Sequence, residues 1–108
     1  MGATETLGEF EQRVLLAALR RGRDAYTVSI IEELRARTSR EPTHAAVYVA
    51  LRRLEAKGLV TSRMGPATPE RGGRAKRFFQ VEPEAVDLLR RARDELLSLW
   101  AGVEALRP

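Results

Sequence analysis

Apolar residues recur at helical spacing through Leu54 and then change period. Phe10, Val14, Ala17 and Ala18 fall on one side of a first helix predicted over 7–21, and Thr6-Leu7-Gly8-Glu9 has the Ser/Thr-x-x-Glu form of a capping box. After the Gly22 to Ala25 turn, Thr27 is placed to cap a second, short helix with Ile30, Ile31 and Leu34 on one face, ending before Thr38-Ser39-Arg40. Pro42 and Thr43 restart the chain. Val47, Leu51 and Leu54 then define a third helix, 43–57, closed by Lys57 and Gly58. From Leu59 to Met64 the residues read as a strand. Lys76 to Val81 read as another, with Phe79 and Val81 alternating with Gln80. Gly65, Pro66, Pro69, Gly72 and Gly73 lie between them, in a connection too long for a two-residue turn and so a hairpin with an extended tip, 65–76. Pro83 at a first-turn position, beside Glu82 and Glu84, opens a last helix predicted to reach about Leu106 with Gly102 as its interior glycine.

The order helix, helix, helix, strand, loop, strand is that of a winged helix-turn-helix: mostly α with a small β-hairpin, followed by a C-terminal helix. Residues 1–82 form the winged unit and 83–108 the terminal helix of the same compact body, since 108 residues leave little room for a second core. In such a fold the third helix enters the DNA major groove and the wing reaches flanking DNA.

Charge sharpens this expectation. The chain carries 19 basic and 15 acidic residues, a net +4. Between Arg63 and Arg77 stand five basic residues (Arg63, Arg71, Arg74, Lys76, Arg77) against Glu70 alone, so the whole excess sits in the wing. A polyanion is the natural partner.

Several chemistries drop out. With no cysteine and one histidine, disulfides, thiolate nucleophiles and Cys/His metal sites are excluded, and no cofactor is expected. Ser29, Ser39, Ser62 and Ser98 with a single His44 make no triad, and Gly65, Gly72 and Gly73 lack the spacing of a P-loop or dinucleotide fingerprint. The apolar run Val14 to Leu19 is only six residues, far short of a membrane span, and Glu5, Glu9 and Glu11 stand where a secretory signal would be positive, so the chain reads as cytoplasmic and not as an enzyme.

With Val47, Leu51 and Leu54 turned to the core, the other side of the third helix is expected to present His44, Tyr48 and Arg52 at successive turns. Tyr48 suits a phosphate or a thymine methyl, Arg52 a phosphate, and His44 either. Tyr26 and Thr43, at the starts of the second and third helices, join this set. In the wing, Gly72 and Gly73 allow close backbone approach while Arg71, Arg74 and Lys76 supply charge; of Lys76 and Arg77, one should face solvent and one lean inward.

These pieces resemble the PadR-like transcriptional regulators over nearly the whole chain. The carriers are Leu7-Gly8-Glu9-Phe10-Glu11, Asp24-Ala25-Tyr26, Ala46-Val47-Tyr48, the run Arg53-Leu54-Glu55-Ala56-Lys57-Gly58-Leu59-Val60, and Pro69-Glu70-Arg71-Gly72-Gly73-Arg74-Ala75-Lys76-Arg77-Phe78-Phe79. The resemblance implies a homodimer that binds a palindromic operator on double-stranded DNA and represses, with a small effector releasing it. Ala46 and Val49 depart from the Thr or Ser and the Pro that members often carry there.

The last helix offers Val86, Leu89, Leu96, Leu97, Leu99, Trp100, Val103 and Leu106, more apolar surface than a small domain needs, which implies a partner chain. By the resemblance, Leu89, Leu96, Trp100 and Val103 form the dimer seam with Phe10 and Val14. Some short members bind flat aromatic drugs between paired tryptophans at that interface, which makes Trp100 the candidate effector contact. It stands about one turn later on the helix than in those sensors, and an interface role fits it better. The competing function on the same fold is a nonspecific architectural DNA binder, or a winged-helix module for RNA or protein.

Overall fold

The computed structural model describes residues 6–66 and 75–108. Four helices and a two-stranded antiparallel hairpin follow in the expected order: α1 Glu9–Arg21, α2 Thr27–Arg37, α3 His44–Ala56, β1 Val60–Met64, β2 Arg77–Val81 and α4 Pro83–Trp100. The mostly helical winged helix-turn-helix is thus the observed fold. The strands pair from Val60 opposite Val81 to Met64 opposite Arg77.

The helix starts are set differently from the sequence expectation. Gly8, not Thr6, is the cap of α1, and the Glu11 carboxylate accepts the Gly8 N–H at 3.1 Å. Tyr26, in extended conformation, is the cap of α2 in place of Thr27, which is buried inside the first turn. Ser29 closes that turn by accepting the Tyr26 N–H at 3.0 Å, so a hydroxyl at the third helical position takes the part usually played by an acid. Thr43 caps α3 as anticipated, accepting the Ala46 N–H at 3.0 Å.

The core is one cluster. Val14, Leu15, Ala17 and Ala18 from α1, Ile30, Ile31 and Leu34 from α2, and Val47, Ala50, Leu51 and Leu54 from α3 close on Leu59, Val60, Phe79, Ala85 and Leu89. Gly58 takes φ +78° and turns the chain from α3 into β1, with the Leu59 N–H returning to the Leu54 carbonyl at 2.9 Å.

The last helix is shorter than predicted. It ends at Trp100, where Gly102 at φ +78° diverts the backbone before a 3-10 turn at Glu104–Leu106. Only Ala85 and Leu89 of α4 are buried, and its distal half extends from the body with Leu96, Leu97, Leu99 and Trp100 at least half exposed. Among the described residues no helix is long and apolar enough to cross a membrane.

Candidate nucleic-acid interface

Three elements bring the candidate residues to one side of the molecule. The start of α2 contributes Tyr26, α3 contributes His44 and Tyr48, and the foot of the wing contributes Lys76; together with Thr27, Val28, Ala75 and Arg77 they line one open cleft of about 380 Å³. Arg71, Gly72, Gly73 and Arg74, the remaining wing candidates, lie outside the described residues.

The wing foot is fixed by aromatic packing. Tyr26 meets Phe78 edge to face at 5.6 Å between ring centres, and the Lys76 ammonium lies 4.2 Å from the Tyr26 centroid on the cleft side. Gly65 donates to the Lys76 carbonyl at 2.7 Å; a Cβ at Gly65 would fall 2.5 Å from the Phe78 ring, so only glycine permits this closure. Lys76 is therefore held toward the cleft without a carboxylate partner among the described residues.

Arg77 turns to the other strand. Its Nη1 donates to Ser62 Oγ at 3.0 Å, and Ser62 Oγ donates to Glu55 Oε2 at 2.7 Å. On the other side of the carboxyl, Arg52 Nε stands 3.3 Å from Glu55 Oε1, an ionic contact outside hydrogen-bonding geometry that leaves this oxygen buried and without a hydrogen-bond donor. Arg52 Nη1 also donates to Tyr48 Oη at 3.1 Å. Glu55 and Ser62, absent from the sequence candidates, thus tie α3 to the hairpin strands. Nothing in the residue pattern marks them, because the contact joins positions whose proximity depends on the hairpin register.

The helix faces need one correction. At about 100° per residue, the buried arc of Val47, Ala50, Leu51 and Leu54 sets the far side of α3 at Ala45 and Val49, not at Tyr48. Tyr48 is half-buried and packs against the core cluster, so His44 and Tyr48 form one flank of the helix, with Arg52 between them and the apex. Val49, at the apex, is 48% exposed. Period arithmetic would have found it.

The proposed seam also shifts. Val14 is fully buried in the chain's own core and Leu89 nearly so; Phe10 packs half-buried against the same cluster. Leu96, Trp100 and Val103 remain exposed, joined by Leu97, Leu99 and Leu106. Among the described residues no three His, Asp or Glu side chains converge as metal ligands.

A hairpin wing beside a capped helix, with basic and aromatic groups on one face, defines the winged-helix class of transcription regulators. Residues 15–84 match the family model described as the transcriptional regulator PadR-like family, and the chain belongs to that family, one of regulators and not of enzymes. Solved structures of the same fold include a PadR family transcription regulator from hypervirulent Clostridium difficile R20291, 19% identical with a TM-score of 0.71 over 86% of this chain and 92% of that one. A PadR family transcriptional regulator from Eggerthella lenta DSM 2243 is 23% identical, with a TM-score of 0.66 over 88% of this chain and 83% of that one. A transcriptional regulator from Clostridium thermocellum is 19% identical, with a TM-score of 0.70 over 92% and 91%. No curated protein matches the sequence significantly.

Proposed function

We propose that the chain acts as a homodimeric, sequence-specific repressor that binds a palindromic operator, with helix 43–57 in the major groove and wing 65–76 on the flanking DNA. The observation that carries this is the shared cleft. Tyr26, His44, Tyr48 and Lys76 come from three separate elements and face one side, where a duplex would meet the helix and the wing together. Arg71 and Arg74, beyond Lys76 in the wing, add charge that displaces condensed counterions from the backbone. The protruding apolar end of α4, from Leu96 through Val103, supports the dimer: such surface is costly to leave in water and self-complementary across a two-fold axis. Trp100 sits in that surface, so a flat aromatic effector stacked on it would couple ligand binding to the spacing of the two reading helices.

The test is to incubate the purified protein with fragmented genomic DNA of its source at about 150 mM salt, where nonspecific binding is weak. A few promoter fragments sharing an inverted repeat are the expected yield. Uniform retention would instead mark an architectural binder, and no retention a protein-interaction module.

A further inference from the structure

We infer that the apex of α3 reads thymine by its C5 methyl group, with Val49 as the contact and Ala45 beside it, a specificity surface distinct from the Tyr48 flank. This rests on the DNA-recognition reading above. The buried arc of the helix centres between Val47, Ala50, Leu51 and Leu54, and Ala45 and Val49 lie about half a turn of the helix circumference away from it. Both are exposed, as is Ala46, and on one side they border an open cleft lined by Gly8 to Glu11 at the start of α1. Tyr48 stands on one flank and Arg53 on the other; Arg52 lies as near the centre of the exposed side as Val49, but its guanidinium is drawn away toward Tyr48 Oη and Glu55.

Groove dimensions give the ridge its role. The major groove of B-DNA is about 12 Å wide and a helix with side chains about 10–12 Å across, so the apex of an inserted helix meets the base edges while its flanks meet the groove walls. Small residues at the apex let the backbone approach closely. Alanine and valine offer no donor or acceptor, and the one feature of a base edge in that groove which an aliphatic group recognises is the thymine methyl. Against guanine, adenine or cytosine the same side chains would strip water from a donor or acceptor and return nothing. The apex therefore favours thymine and also penalises its replacement. The ridge lies between the Tyr48 and Lys76 cleft on one flank and a second open cleft, lined with Gly8 to Glu11 of the α1 start, on the other, so it takes its role from the insertion of α3 proposed above.

The experiment uses a fragment selected from genomic DNA by the full chain. Each thymine in its half-sites is replaced in turn by deoxyuridine, which removes only the methyl, and binding is followed by fluorescence anisotropy for the wild type and for Val49→Ala. At one or two thymines, loss of the methyl should weaken the wild type about fourfold per half-site, the worth of burying one such group. Val49→Ala should bind the thymine and uracil forms equally at that position, with circular dichroism and melting unchanged. The inference is overturned if uracil is silent at every position, or if Val49→Ala keeps the full methyl sensitivity. A chain that selects no fragment at all overturns the DNA-recognition reading and this inference with it; a selected fragment indifferent to uracil overturns this inference alone.

Discussion

Ser62 donates its hydroxyl hydrogen to the Glu55 carboxylate at 2.7 Å while accepting from Arg77, and so joins the end of α3 to both strands of the hairpin. The angle between helix and wing is set by this link as well as by core packing. Ser62→Ala removes the bridge and leaves Glu55 and Arg77 without their shared partner. It should cost about 1 kcal/mol of stability, read as a lower urea midpoint with unchanged slope, and weaken operator binding further. An unaltered midpoint would show that the link carries no load.

Tyr48 and Lys76 share a cleft but should respond differently to truncation. Tyr48→Ala is expected to cost about 1–3 kcal/mol on the operator and less on random DNA, because its ring, on the flank of α3, would reach the edge of a base from the side of the groove. Lys76→Ala should weaken both DNAs alike and flatten the dependence of affinity on salt by about one unit. Paired titrations of the two variants on both DNAs, over a range of salt, check this; equal losses for Tyr48→Ala would make it a backbone contact.

How much of this was legible in the sequence differs by element. The α3 core positions and the alternation of Phe79 and Val81 follow from local period, and the order of elements followed with them. Helix starts were less legible. At Gly8 and Tyr26 the backbone conformation decides the cap, and a residue three positions later, Glu11 or Ser29, completes it from the far side. The end of α4 was overrun because Gly102 is tolerable inside a helix by pattern alone, and its positive φ appears only in three dimensions. Val14 illustrates a further limit: an apolar residue at helical spacing suits either a core or a seam, and only packing assigns it.

The exposed end of α4 leads to a prediction about assembly. Leu96 is 57% exposed and Leu97 58%. The wild type should scatter light as twice the 12.1 kDa chain at micromolar concentration, with or without DNA, and Leu97→Asp should shift it toward the single chain. A wild type of single-chain mass would contradict the dimer.

Acid should release a specific clamp. Glu33 on α2 accepts from Arg20 at 2.8 Å, Arg37 at 2.9 Å and Arg21 at 3.0 Å, so its carboxyl is held below its ordinary value, chiefly by Arg20 and then Arg37. A carboxyl lowered in the folded state stabilises the fold above its unfolded value of 4.5 and loses that stabilisation as pH falls through the folded one. Glu33→Gln should thus be less stable than wild type at pH 7, with the gap closing as pH drops below 4.5. Parallel melting curves at every pH would remove the clamp from the account.

The most direct measurement is hydroxyl-radical footprinting on a retained promoter fragment. Two identical half-sites should be protected about one helical turn apart, each as backbone protection on both sides of the groove that holds α3, flanked by protection at the wing position. Continuous protection along the fragment, or a single unpaired half-site, would contradict a two-fold regulator reading an inverted repeat with α3.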